Sequence, residues 1–321
     1  MKKWISLAIL CLFVLASSDA FGGTLVLRVG HSQNDQGDWH KALEFFKKDL
    51  AERTNGAIDV QIFASETLGS EIDNITSIHQ GTAEMVVSGD SMVNWAPFAA
   101  ALGLPYALSG YDAMIKAVED PEIGGAIAQN IVDNALLRPV GYFLRSARNL
   151  TSNKKVEKYA DLRGLKMRIA NNPVHQKLWN AFGASANPMN FSEVFSALQN
   201  GTIDAQENPY AQIIAANLFE VQKYLVKTEH VYSWIYVLIG EELWQSLPQD
   251  QRDAIVASGK AMSAFQRDYH LKEVSQQEEF LKGRMEFIDI DKAPFVEEAK
   301  KVMKDVLEPE LFAIYEKMVA L

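Results

Sequence analysis

Three arginines and one asparagine carry most of the chemistry this chain offers. Arg145 and Arg148 stand in "FLRSARNLTSN", Arg168 in "LRGLKMRIANNP" and Asn208 in "IDAQENPY". A guanidinium grips a carboxylate through two parallel N–H···O bonds, so arginines gathered in one place point to an organic anion. An asparagine can donate to such an anion from its amide nitrogen while its carbonyl accepts from a hydroxyl. Other chemistries lack their residues. The sequence has no GxGxxG, P-loop, HExxH or GxSxG pattern, and its six histidines have no metal-ligand spacing. "DIDKAP" offers two carboxylates without an EF-hand loop and reads as a polar turn. These residues therefore suggest no catalytic group, metal or cofactor.

The elements around these residues place them alike. Leu165, Met167 and Ile169 alternate with Lys166, Arg168 and Ala170, a strand of period two between the turn signals Arg163-Gly164 and Asn171-Asn172-Pro173. Arg168 lies near its carboxyl end. Asn200-Gly201 stops a helix, and the short strand that follows runs to Asn208 and breaks at Pro209. Arg145 and Arg148 also fall at ends of predicted strands. In open α/β sheets, ligands bind beyond the carboxyl ends of strands. Taken singly, the solvated or ion-paired surface reading is the stronger one for each arginine, and a turn before Pro209 the commoner role for Asn208.

The rest of the chain alternates strand and helix. Strands are predicted at Leu25 to Gly30, Ile58 to Phe63 and Glu84 to Gly89, with helices at Asp38 to Arg53 and Ser70 to His79. This βαβαβ order favours an α/β domain with a largely parallel sheet. Helices near Asp112 to Glu119 and Glu122 to Leu137 precede a second series. That series has the Arg168 strand, a helix from Val174 to Phe182, a strand at Ser185 to Pro188, a helix from Ser192 to Asn200 and a strand at Asp204 to Asn208. "HVYSWIYVLIG", His230 to Gly240, reads as one long strand and a candidate crossing back to the first domain. A helical pattern from Gln249 to Gly283 has no internal proline. At about 1.5 Å per residue it spans roughly 50 Å, enough to touch both domains. Two helices, Ala293 to Leu307 and Glu310 to Val319, end the chain.

With 321 residues the chain is long enough for two domains. Its net charge of −10 argues against nucleic acid as a partner but not against a small anion held in a basic cleft. Lys2 and Lys3, an apolar run from Trp4 to Ala16 and the exit "ASSDAFGG" form an export signal, with cleavage expected near Ala20. Cys11, the only cysteine, lies inside that run. The expected mature protein is exported, soluble and cysteine-free.

Three blocks, in this order and spacing, resemble one family. They are "VQIFASETLGSE", "RNLTSNKKVEKYADLRGLKMRIANNP" and "GASANPMNFSEVFSALQNGTIDAQENP". The chain resembles the solute-binding subunit of a tripartite ATP-independent periplasmic (TRAP) transporter, of the DctP and sialic-acid-binding kind. The resemblance implies a two-domain α/β periplasmic binding protein of type II-like architecture, with a hinge and a long helix bracing both domains. The expected first domain is residues 21–145 with about 234–273, and the second 146–233 with about 274–321. It also implies a carboxylate ligand on Arg168, with Arg148 and Asn208 completing the grip and Phe191 packing nearby. Asp90, Asn171 and Glu207 are further expected contacts, and Trp39 and Trp234 are candidate apolar walls for a sugar face.

Two departures bear on the ligand. Gly89, followed by Asp90, stands where sialic-acid binders carry an acidic residue, and Arg145 is an additional positive charge. A sugar acid such as a uronate or aldonate is favoured, and a second anionic group on the ligand would suit the additional arginine. A C4-dicarboxylate, a keto acid and sialic acid are the alternatives. The expected partners are the ligand and the transporter's membrane subunits, with the protein a monomer. A ligand-sensing module for a membrane sensor kinase is the competing function. A periplasmic enzyme on the same scaffold is disfavoured because the chain lacks a nucleophile motif, metal cluster or cofactor loop.

Overall fold

The computed structural model describes residues 23–321, so the expected leader and Cys11 lie outside the described residues. The chain builds two sheets. Strands β1 (Leu25–Gly30), β2 (Ile58–Phe63) and β3 (Met85–Ser88) alternate with α1 (Asp38–Arg53) and α2 (Glu71–His79). Short helical turns, α3 (Tyr111–Glu119) and α4 (Ala126–Ala135) lead to β4 (Leu137–Leu144). The chain then crosses to the second sheet through β5 (Arg148–Ser152), β6 (Lys166–Ile169), α5 (Pro173–Ala181), β7 (Ser185–Pro188), α6 (Val194–Gln199), β8 (Ala205–Asn208), α7 (Tyr210–Ala215) and β9 (Tyr224–Val231). It returns in β10 (Trp234–Gly240), followed by α8 (Glu241–Ser246) and the 34-residue α9 (Gln249–Lys282). The strand β11 (Glu286–Ile288) and helices α10 (Ala293–Val306) and α11 (Pro309–Val319) complete it.

The first sheet has the order β2-β1-β3-β10-β4. Strands β1, β2, β3 and β4 run in one direction, and β10, between β3 and β4, runs antiparallel to both. The expected largely parallel sheet is therefore mixed, because β10 enters from the other lobe. The second sheet has the order β11-β9-β5-β8-β6-β7, with β5 antiparallel to β8 and β9. The single strand expected over His230 to Gly240 is two strands in different sheets. They join at Tyr232-Ser233, where the chain crosses between lobes.

Local sequence accounts for these elements. Helix α1 buries Trp39, Ala42, Leu43, Phe46 and Leu50 along one stripe against β1 and β2. Ser70 caps α2 in a reciprocal box. Its hydroxyl accepts from the Asp73 N–H at 3.2 Å, and Asp73 accepts from the Ser70 N–H at 3.0 Å. That cap fixes Glu71 as the first helical residue. Apolar side chains from both sheets join a core that includes Leu150, Met167, Val226 and Trp234.

Helix α9 closes the exposed edge of the first sheet. Gly259 lets the helix approach so closely that a Cβ there would lie 1.8 Å from the Val140 carbonyl. The Ser263 hydroxyl accepts from the Tyr142 N–H at 2.9 Å. Gln266 accepts from the Leu144 N–H at 2.9 Å and donates back to its carbonyl at 3.0 Å. Side chains of α9 thus satisfy the backbone of edge strand β4, where a further strand could otherwise add. At its far end, Leu281 packs with Val194, Ile213 and Leu225 of the second lobe, so the helix touches both lobes.

Candidate functional site

A narrow cavity lies between the lobes, at the strand ends. Its wall includes Trp39, Asp90, Arg145, Arg148, Arg168, Asn171, Phe191 and Asn208. These come from separate elements: α1, the turn after β3, the end of β4, the start of β5, β6, the loop after it, the turn before α6 and the end of β8. Hydrogen bonds close the lobes over it. Ser192 N–H donates to Glu66 at 2.9 Å, Gln212 to the Ser32 hydroxyl at 3.0 Å, and Asn94 to the Asn171 carbonyl at 2.8 Å. Asn172 caps α5 and also donates to the Asp90 carbonyl at 3.1 Å.

Two of the three arginines are already neutralised. Arg145 donates to both oxygens of Asp90, at 2.6 and 3.3 Å, and to the Leu102 carbonyl at 3.3 Å. Arg148 reaches Asp90 at 3.2 Å and grips the Glu207 carboxylate in a fork, with one contact at 2.8 Å. It also donates to the side-chain amide oxygen Oδ1 of Asn208 at 3.3 Å. Burial alone would raise the pKa of Asp90, but the charges of Arg145 and Arg148 outweigh it and hold the carboxyl far below its usual range. Burial likewise opposes ionisation of Glu207, and Arg148 overrides it. Burial disfavours charge on Arg148 too, yet Glu207 and Asp90 push its pKa upward. His230 is kept neutral: burial lowers its pKa despite the opposing pull of Glu207. Its Nε2–H donates to Glu207 at 3.0 Å, and Nδ1 accepts from the Thr228 hydroxyl at 2.9 Å.

Arg168 differs. It is 4% exposed and has no ion-pair partner among the described residues. Nε and Nη2 donate to the Met189 carbonyl at 3.0 and 2.7 Å, and the guanidinium lies 5.6 Å above the Phe191 ring. Nη1 has no hydrogen-bond partner among the described residues. Burial depresses its pKa to about 10, so it stays charged at neutral pH without a counter-ion. Asn208 spends one amide hydrogen on Gln206 at 2.6 Å, which leaves the other for the cavity it lines.

The structure places two expected residues elsewhere. Glu207 is fully buried behind Arg148 and does not line the cavity. Trp234 is also fully buried; it packs edge-on to Tyr236 in the core, because both faces of β10 are covered. Asp90 and Arg145 do reach the wall, but as partners of each other. The motive for a second anionic group on the ligand falls away, since Asp90 already meets the charge of Arg145. Trp39 is held against Phe143 at 6.3 Å, with one edge on the cavity. Sequence reasoning did not single out Glu66, Glu71, Ser32 or Gln212, which also line the space. Glu71 was within reach, since it closes the "LGSE" block; its carboxylate accepts from the Gly89 N–H at 2.9 Å and from the Ser88 hydroxyl at 2.5 Å. Burial raises its pKa.

A two-lobed α/β fold with an arginine-lined cleft defines a class of binding protein, and comparison with known proteins names the family. The family model for DctP, "Bacterial extracellular solute-binding protein, family 7", matches residues 29–310. The chain belongs to this family and is a TRAP solute-binding protein. It is 41% identical over 312 residues to solute-binding protein RD1_1052 of Roseobacter denitrificans, covering 97% of this chain and 96% of the relative. A crystal structure of a TRAP periplasmic solute-binding protein from that organism, with bound L-galactonate, superposes with a TM-score of 0.90 at 40% identity, covering 92% and 99% of the two chains. The 2,3-diketo-L-gulonate-binding periplasmic protein YiaO of Escherichia coli is 29% identical over 287 residues, 87% of this chain and 86% of the relative. A Haemophilus influenzae structure with bound L-gulonate aligns with a TM-score of 0.88 at 25% identity, covering 92% and 99%. Among the described residues, no helix is long and apolar enough to cross a membrane.

Proposed function

We propose that the protein is the periplasmic receptor of a TRAP transporter for a six-carbon sugar acid, an aldonate or a uronate, which it delivers to the membrane subunits. The observation that carries this reading is Arg168. A buried guanidinium without an anion is costly, and a ligand carboxylate is the group that removes the cost. In this account the carboxylate takes Nη1 of Arg168 and the free amide hydrogen of Asn208. The Asp90–Arg148–Glu207 network holds Asn208 in place and keeps the adjacent wall close to neutral. The sugar acids bound to the Roseobacter and Haemophilus relatives, and the diketo acid in the name of YiaO, support the ligand class.

Binding and closure are coupled. The hydrogen bonds from Ser192 to Glu66 and from Gln212 to Ser32 form only with the lobes together, so a ligand touching both walls shifts the equilibrium toward the closed form. Closure excludes water and strengthens each charged contact. A thermal-shift screen of aldonates, uronates, keto acids and C4-dicarboxylates tests the ligand class. A sugar acid should raise the melting temperature by mass action, and a response only to C4-dicarboxylates would contradict the reading.

A further inference from the structure

The charges in the cavity wall do not cancel evenly. Asp90 is taken by Arg145 and Arg148, which leaves Arg168 as a cation without an anion. Conversely, Glu66 and Glu71 line the same space and have no cationic partner among the described residues. Glu66 is held with care. Ser65 and Glu66 are consecutive non-glycine residues in the left-handed region, at φ 53° and 58°. Such residues persist where the surroundings fix them. Here the Ser65 N–H donates to the Gln33 carbonyl at 2.7 Å, the Glu66 N–H to the His31 carbonyl at 3.0 Å, and the Gly69 N–H returns to the Glu66 carbonyl at 2.9 Å. The turn projects the side chain across the cleft, where Oε2 accepts from the Ser192 N–H of the opposite lobe. Oε1 has no hydrogen-bond partner among the described residues.

We propose that Glu66 sets specificity: its free oxygen accepts a hydroxyl of the sugar chain, and its charge turns away acids with a second carboxylate. A half-buried carboxylate can only accept, so it is matched by an O–H donor and opposed by another anion. Arg168 then takes the carboxylate of a hydroxylated monoacid, and the free oxygen of Glu66 takes a hydroxyl of its chain. Because Glu66 also fastens the lobes, a ligand that repels it is penalised at closure. This inference rests on the sugar-acid reading above and narrows it to monoacids.

The test compares L-galactonate with galactarate, the same carbon chain carrying a carboxylate at its far end. The calorimetric titrations use wild type and Glu66→Gln, whose amide oxygen still accepts from Ser192. Wild type should prefer galactonate by roughly a hundredfold or more, and Glu66→Gln should shrink that preference by about tenfold, mainly through tighter galactarate binding. A preference unchanged to within about twofold, with galactonate still bound, overturns the inference alone. Binding of neither acid by the wild type overturns the sugar-acid reading and this inference with it.

Discussion

Two sides of one cavity use the same residue type in opposite ways. On one side Arg145 and Arg148 share Asp90, and Arg148 also holds Glu207, so each charge is met inside the protein. On the other side Arg168 rests on a backbone carbonyl and an aromatic ring and meets no carboxylate. An arginine at a strand end is therefore not by itself a ligand contact. The paired side acts as a scaffold whose charges are spent; the unpaired side has a charge left over for a ligand.

Substitutions should separate the two sides by stability. Arg148→Met leaves Glu207 in the interior without its guanidinium and Asp90 with Arg145 alone, and should cost about 3–5 kcal/mol in chemical denaturation. A loss below about 1 kcal/mol would mean the network is not structural. Acid should act next, on the paired carboxylates and on the buried His31. Asp90, Glu207 and His31 all have folded pKa values below their unfolded ones, with His31 moved from 6.5 to about 3, chiefly by burial. Their contributions are complete above the unfolded values and are lost as pH falls. Stability should decline below pH 6.5 as the unfolded state protonates His31, and more steeply once pH passes the ordinary carboxylate values of 4.5 and 3.8. Replacement of His31 by Gln should reduce the first part of that decline, leaving the share of His230, whose folded pKa burial also lowers, and leave the second part unchanged; melting curves from pH 7 to 4 would check this. The smallest change is expected on the unpaired side. Arg168→Met removes a buried charge that has no partner, so the ligand-free protein should be as stable as wild type or more stable by up to about 1 kcal/mol.

Much of this site was legible before any coordinates. The alternation in "LKMRI" and the break at "ENP" put Arg168 and Asn208 at strand ends, and the backbone does bring them to one cavity. What the sequence left open was pairing. Nothing local tells that Asp90 lies between two arginines from the end of β4 and the start of β5, or that Glu207 faces back to Arg148 while its neighbour Asn208 faces the cavity. Those contacts span 55 to 59 residues and depend on the crossing between lobes. Trp234 illustrates a second limit. On a strand buried on both faces, alternation cannot separate a core aromatic from a cavity wall. The crossing at Tyr232-Ser233 was hidden because no glycine or proline interrupts "HVYSWIYVLIG" before its last residue. The three-residue β11 was too short to show a period.

The most direct test is calorimetric titration of wild type and Arg168→Ala with L-galactonate, alongside a denaturation curve for each. Losing charge-assisted hydrogen bonds to a buried carboxylate should weaken binding by about a hundredfold or more, while the ligand-free stability is nearly unchanged. Wild-type affinity in Arg168→Ala would contradict the account, because the one cavity arginine without an ion-pair partner among the described residues would then not be the ligand's anchor.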